Sequence, residues 1–496
     1  MSAKRFDVIV VGAGNAAFCA AIAAREKGAS VLVLERAPED ENGGNSRFTA
    51  GAFRVAYDGV DDLKALMPDL TDDEIANTDF GTYNTDQFFD DMFRITRFRT
   101  DPELCERLVR RSFDSLKWLR EKGVRFAPIY GRQAYKIDGK FKFWGGLTVE
   151  SVGGGPGLVD RETELARELG IEVRYGARVV GLAFDGHAVT GVKVKSGGEV
   201  FDIEGKAVIL ASGGFESNPE MRTRYLGPGW ELAKVRGTRF NTGDGIRMAL
   251  DIGASPYGNW SGCHAVGWDY NAPEFGDLTV GDNFQKHSYP WGIMVNAKGQ
   301  RFVDEGADFR NYTYAKYGRE ILNQPDQFAW QVFDSKIIPM LRDEYRIRRV
   351  TKVSANSLEE LAGKLEGVDP KGFLAEVKAY NDAVDTDTPF DPNVKDGRSA
   401  QGLAVPKSNW ANKLDEGPFE AFQITCGITF TFGGLRTDPD TGQVIDSDLT
   451  PIPGLYAAGE LVGGIFCFNY PGGTGLMSGT VFGRIAGTGA GEAAVG

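Results

Sequence analysis

The pattern of apolar and polar positions is clearest at the start of the chain. Phe6 to Val11 is a short β-branched run of the kind that forms a strand buried on both faces. A glycine turn follows, then an Ala-rich stretch ending at Gly28, which predicts a buried helix. Ser30 to Leu34 predicts a second strand, closed by Glu35. From Asp61 to Phe126 the period is mostly helical; in DPELCERLVRRSFDSLKWLREKG, Asp101-Pro102 supplies the cap and Gly123 the stop. Arg132 to Trp144 is rich in Lys and aromatics and predicts a hairpin turning at Asp138-Gly139, a candidate lid. Gly153 to Leu182 predicts loop, helix and strand, and Ala207 to Asn218 a buried strand opening into a second glycine turn. Strands alternating with helices predict an α/β fold.

Composition narrows the chemistry. Glycine supplies 65 of 496 residues, roughly twice the usual ~7%, in clusters without a repeat period. Tight backbone beside a ligand accounts for that better than low complexity. The net charge of −13, without basic runs, argues against nucleic acid or an anionic membrane as main partner. Five scattered cysteines (Cys19, Cys105, Cys263, Cys426, Cys467) form no C-x-x-C, and the only histidines are His187, His264 and His287. Zinc ribbons, iron–sulfur cradles and His-built metal sites are therefore not expected. No apolar run reaches the ~18 residues of a membrane span. The start, with Lys4 and Arg5 before an apolar stretch, superficially resembles a signal peptide, but it splits into strand and helix. It reads as mature structure of a cytoplasmic protein.

The first turn carries the strongest chemical signal. Gly12-Ala13-Gly14-Asn15-Ala16-Ala17 is a G-x-G-x-x-A pattern between strand and helix. Gly12 allows the tight turn, Gly14 admits a pyrophosphate, and Ala17 allows close helix–strand packing. The helix N-terminus then offers N–H groups to the phosphates. Glu35, with Arg36 beside it, lies where an acid accepts both ribose hydroxyls of an unphosphorylated ribose. This pattern alone does not separate NAD from FAD.

GGNSRFTAGA, Gly43 to Ala52, resembles the loop along FAD in the fumarate reductase and succinate dehydrogenase flavoproteins. Three further segments match that family in order: Gly153–Leu182, AVILASGGFESN, and IPGLYAAGELVGG followed by NYPGGTGLMSGTVFGRIAG. The resemblance implies a Rossmann-like FAD-binding domain of glutathione-reductase type, split over 1–257 and 420–496, with an inserted α+β capping domain at 258–419. TGDGIRMALDIGA is similar to the family's return to the flavin domain, and SLEELAGKLEGVDPKGFLAEVKAYNDAV to the helical pair closing the cap. The FAD contacts it implies are Gly12, Ala13, Gly14, Asn15, Ala16, Glu35 and Arg36, then Gly43, Gly44, Asn45, Ser46, Thr49, Ala50 and Gly51. Val179 would cover the adenine, with Ala211, Ser212, Gly213, Asn218, Thr242 and Asp244 nearby. Gly459, Glu460, Thr474, Gly475, Leu476 and Ser478 would meet ribityl and flavin. No histidine precedes His187, so the covalent tether of membrane-bound members is not expected.

Oxidising a saturated carbon chain requires a hydride to leave for flavin N5 and a neighbouring proton to leave for a base. The enolate charge that develops must also be stabilised. VNAKGQRFVDEGADFRNYTYAKYG resembles the segment carrying the family's arginine proton shuttle, in which the arginine falls four residues after the glutamate. Here Arg310 lies one residue later, with Glu305 or Asp308 as its electrostatic partner and Tyr312 or Tyr314 as substitute shuttles. His264 sits where fumarate reductases have a substrate histidine. A second substrate histidine is missing from the Gly427–Gly434 string, and the family's N-R-x-G-G arginine is Tyr470. Arg47, Thr429, Tyr312 and Gly473 complete the expected substrate contacts, and Arg239, Arg247 and Lys286 a cationic shell.

The Tyr470-Pro-Gly string resembles ketosteroid dehydrogenases, whereas the full set of strings looks most like FAD-dependent tricarballylate dehydrogenases, which desaturate a tricarboxylate to cis-aconitate. Three readings follow. One is a soluble polycarboxylate desaturase passing electrons to a separate partner protein or quinone, or the related reductase of another unsaturated acid. Another is a ketosteroid-type dehydrogenase using Tyr470 as electrophile. The third is a non-catalytic FAD-binding subunit.

Overall fold

The computed structural model describes residues 5–496; Lys4, part of the basic start weighed above, lies outside the described residues. Strand Phe6–Val11 pairs in parallel with Val31–Leu34 on one side and with Glu199–Leu210 on the other. These strands belong to an eight-stranded sheet that also takes Pro451–Ala457 in parallel beside Glu199–Leu210. Helix Asn15–Glu26 packs along the last helix, Thr474–Val495, through small residues. A Cβ on Gly487 would lie 2.2 Å from the Ala20 carbonyl oxygen, so the pair approaches backbone to backbone. The first and last motifs of the chain thereby meet at one cleft.

A second sheet of six strands is built on the long strand Phe419–Leu435, which pairs antiparallel with Pro256–Asp269 over most of its length. The register of that ribbon shifts twice, between Gly258 and Cys263 and between His264 and Ala265. Phe430 faces His264 and Ile428 faces Ala265, which leaves Thr429 as the extra residue of a bulge. The predicted hairpin forms, with Tyr135–Ile137 antiparallel to Lys140–Lys142. The long helix also forms, at Pro102–Glu121, with Asp101 accepting from the N–H groups of Glu103 and Leu104. The architecture is a Rossmann-like domain carrying a capping domain. Among the described residues no helix is long and apolar enough to cross a membrane.

Candidate functional site

Two cavities join into one elongated cleft through shared walls at Asn15, Ala16, Asn45, Ser46, Gly459 and Glu460. Gly12, Ala13 and Gly14 form one end together with Glu35, Arg36, Gly43, Gly44, Val179, Asp244 and Ala211–Gly213. Gly12 has φ +111°, and a Cβ there would sit 2.4 Å from the Ala211 carbonyl oxygen, so this turn accepts only glycine. Helix Asn15–Glu26 starts without a side-chain cap, leaving N–H groups for an anion. The Glu35 carboxylate accepts from the N–H groups of Ala13 (2.8 Å) and Ala37 (2.7 Å). Burial raises its pKa while those N–H groups oppose the rise. Asp244 holds Arg36 at 3.2 Å and Arg178 at 2.9 Å; nothing in the sequence pattern marked Arg178. The buried Ser212 hydroxyl lacks a protein partner. Uncapped N–H groups, the Glu35 carboxylate and a continuous long cleft fit FAD, whose adenine end these residues would hold.

The other cavity is lined by Asn45, Ser46, Thr49, Ala50, Glu460, Gly475, Leu476 and Ser478 on the flavin side. The Glu460 carboxylate accepts from the Thr431 N–H at 2.8 Å. Beside it Glu216 is fully buried, accepting from Asn45 (2.7 Å) and Asn241 (2.6 Å). Burial and the Glu460 charge push Glu216 well above the carboxylate range, so Glu216 holds the proton of this pair.

The far side of this cavity gathers Arg132, Arg236, Arg310, His264, His287, Asp282 and Tyr314 with Thr429, Phe430, Phe466, Tyr470 and Gly473. The bulge in the long strand aims Thr429 at this space. His264 stacks on Phe430 (5.1 Å between ring centres) and meets Tyr314 and Tyr470 edge-on at 4.9 and 5.0 Å. Among the described residues neither of its ring nitrogens has a hydrogen-bond partner. Burial, helped by Arg236, pushes its pKa well below 6.5, so the ring is neutral. Arg310 lies 3.1 Å from His287 Nδ1 through Nη1 and donates through Nη2 to the Arg132 carbonyl at 2.6 Å. A guanidinium only donates, so His287 Nδ1 accepts and its proton sits on Nε2, which has no partner. Burial first, then the Arg310 charge, holds His287 neutral. The Tyr470 hydroxyl accepts from the N–H groups of Gly473 (2.8 Å) and Gly475 (3.2 Å), at the N-terminus of the last helix. Its own proton is left to point elsewhere.

Several expected contacts lie outside the cleft. Arg47 bonds Asn42 and pairs with Asp160 at 2.7 Å, so it anchors a surface loop instead of substrate. The Tyr312 hydroxyl donates to Asp91 at 2.5 Å, in a cluster around the fully buried Arg54, and cannot serve as shuttle from there. Asn218 caps helix Pro219–Leu226 and donates to the Thr242 carbonyl (3.1 Å), while the Thr242 hydroxyl accepts from Arg36 (2.6 Å). Gly51 packs against Ser151 and Gly154, and the Thr474 hydroxyl closes the helix start on the Pro471 carbonyl at 2.7 Å. Arg310 is partnered by neither acid proposed for it: Glu305 binds Arg301 at 2.5 Å and Asp308 binds Arg94 at 2.6 Å. Of the cationic shell, Arg239 pairs with Glu41 and Arg247 faces Asp244. Lys286 is buried among the carbonyls of residues 283–285, its pKa lowered to about 8 by burial. Arg132 and Arg236 take their place. Arg132 sits on the short helix Tyr130–Gln133 before the hairpin, so the approach to the hairpin, not its strands, reaches the cavity. Sequence reasoning also missed His287, for which no motif stood out.

The family model for the FAD binding domain matches residues 7–476. The probable fumarate reductase Ifc3 of Shewanella frigidimarina is 30% identical over 497 residues, covering 99% of this chain and 75% of that protein. The open conformation of a flavocytochrome c3 fumarate reductase superposes with a TM-score of 0.74 at 28% identity, covering 99% of this chain and 79% of the other. A 3-ketosteroid Δ1-dehydrogenase from Sterolibacterium denitrificans shares the fold, with a TM-score of 0.75 at 22% identity over 98% of this chain and 99% of the other.

Proposed function

Since the chain belongs to the FAD-binding-domain family of the fumarate reductase and succinate dehydrogenase superfamily, and is thereby an FAD-dependent oxidoreductase, we propose that it desaturates a carboxylated substrate. The reaction we assign is tricarballylate to cis-aconitate, between carbons alpha and beta to carboxylates. FAD, held without a covalent tether, supplies the hydride acceptor. The flavin domain comprises 1–257 and 420–496 and the cap 258–419, with the long strand Phe419–Leu435 shared between them, since its first half pairs with the cap strands Phe328–Phe333 and Lys352–Ala355. A separate acceptor, a protein or quinone, takes the electrons onward. Among the described residues no cluster of His, Cys, Asp or Glu could hold a metal.

One observation carries this reading: Arg310, without a carboxylate partner among the described residues, opens onto this cavity with two neutral imidazoles, His264 unpartnered at both ring nitrogens and His287 at Nε2. Arg310 takes the proton as the neutral guanidine, since the charged guanidinium has no lone pair to accept one. Burial and the Arg342 and Arg132 charges lower its pKa, although Glu344 opposes them. Burial pushes the Tyr314 phenol well above 10 and keeps it protonated, so it faces the cavity as a hydrogen-bond donor. His264 and the Nε2–H of His287 hydrogen-bond substrate carboxylates, and Tyr470 donates to the enolate oxygen. A second reading, a ketosteroid-type dehydrogenase, draws on the aromatic wall of Phe430, Phe466 and Tyr314 around Tyr470.

Anaerobic flavin bleaching separates these readings. Tricarballylate is expected to bleach the bound flavin and a 3-ketosteroid to leave it yellow. Bleaching by the steroid alone would transfer the assignment to the ketone reading. Silence with tricarballylate, succinate and steroid, in protein that retains FAD, would refute both.

A further inference from the structure

Arg132 and Arg236 approach the cavity from different parts of the chain and share one carboxylate, that of Asp282. Arg236 reaches Asp282 Oδ1 through Nε (2.7 Å) and Nη2 (2.6 Å). Arg132 reaches Oδ2 at 2.8 Å, where Gln285 also donates at 2.9 Å. Asp282 is thus fully occupied by donors. Both Asp282 and Arg236 are buried (side chains 5% and 8% exposed), and Arg132 is 22% exposed. Two guanidiniums against one carboxylate leave one positive charge uncompensated in a largely dry place. A buried charge demands a partner. The donors left over are weakly held: Arg236 Nη1 has only the Thr429 hydroxyl at 3.5 Å, and Arg132 Nη2 only Asn283 at 3.3 Å. Both residues line the cavity that Arg310 enters.

We propose that Arg132 and Arg236, aligned by Asp282, form a second anion subsite that binds a substrate carboxylate remote from the reacting carbons. With Thr429 beside it, the subsite makes the enzyme select acids with more than one carboxylate. This inference rests on the desaturase reading for the identity of the reacting end, but the subsite itself is a binding property. Arg132 carries a double duty, because its carbonyl steadies Arg310 while its guanidinium faces Asp282. Replacing the side chain leaves the carbonyl in place, so the two roles separate.

The test uses oxidised holoenzyme and the absorbance change that a ligand induces in the flavin. Citrate is the probe, since its central carbon has no hydrogen to lose, and propionate is the one-carboxylate control. Arg236→Gln and Arg132→Gln are each expected to raise the citrate Kd by about tenfold or more, the loss anticipated for a charge-assisted hydrogen bond. The propionate Kd should stay unchanged. Equal citrate affinity in the variants, or no citrate response in the unaltered holoenzyme, overturns the subsite. Citrate binding that depends on both arginines, in an enzyme that tricarballylate fails to bleach, keeps the subsite and removes the reaction.

Discussion

Replacing Tyr470 by Phe removes one oxygen and tests what that oxygen does. The hydroxyl accepts from two N–H groups, of Gly473 and Gly475, at the start of the last helix. Losing it strands the buried Gly473 N–H, whereas the Gly475 N–H is only partly buried and can turn to water. An unsatisfied buried donor costs about 1–3 kcal/mol. Destabilisation of that order is expected, seen as a small drop in Tm of the holoprotein. The chemical effect is larger. With both lone pairs engaged, the hydroxyl proton is fixed as a donor, and preorganised donors of this kind contribute about 10²–10³ in kcat. Flavin reduction in a single anaerobic turnover, followed by stopped flow, should slow by that factor while FAD content is retained. If the rate fell by less than about threefold while Tm dropped as expected, Tyr470 would be a brace for the loop and its role as donor would be refuted.

Arg310→Lys keeps a charge but loses the fork that spans His287 and the Arg132 carbonyl; flavin reduction should fall by about 10²-fold or more while FAD stays bound. Unchanged reduction by the assigned substrate would remove Arg310 from proton transfer. Glu162 is fully buried, accepting from the Cys19 thiol at 3.8 Å, and burial raises its pKa well above the ordinary value. A carboxyl raised in the fold contributes stability that is present below about pH 4.5 and is lost as pH climbs towards the folded value. Glu162→Gln should therefore gain on the unaltered protein by up to about 1.4 kcal/mol per pH unit across that range, measured by denaturant unfolding. A pH-independent difference would show that Glu162 is ionised in the fold.

The nucleotide end of the cleft was legible because its chemistry is local. Strand, turn, helix and acid lie within one short stretch; Gly12 makes the tight turn its spacing requires, and Glu35 stands beside it, accepting from the Ala13 N–H. The cationic end was not legible, because ion pairing is a property of the folded chain. Arg47 and Arg239 have the right charge but find exposed acids, and Arg247 faces Asp244 in the other end of the cleft. Arg132 and Arg236 look no different in sequence, yet burial beside one shared aspartate leaves them facing the cavity. His287 was invisible for a related reason: its tautomer is set by Arg310, which approaches from a separate loop. Asn218 and Thr242 fell in the right motif but face away, since capping a helix and holding Arg36 use their polar atoms.

The ribbon of Pro256–Asp269 and Phe419–Leu435 has a mechanical consequence. His264 and Thr429 sit on its two partner strands at the bulge, tied by the same ladder of backbone bonds. Sliding one strand by a residue would turn its own side chain, His264 or Thr429, to the opposite face and separate the two, so the ladder resists shear and yields only by flexing. Flexing at the bulge preserves the spacing between His264 and Thr429, much as a leaf spring preserves the distance between its rivets. Arg132 belongs to a segment that is not riveted there, and it meets the ribbon's side of the cavity through Asp282 and Arg310. Any separation of the Tyr130–Gln133 segment from the ribbon would have to break both of those contacts.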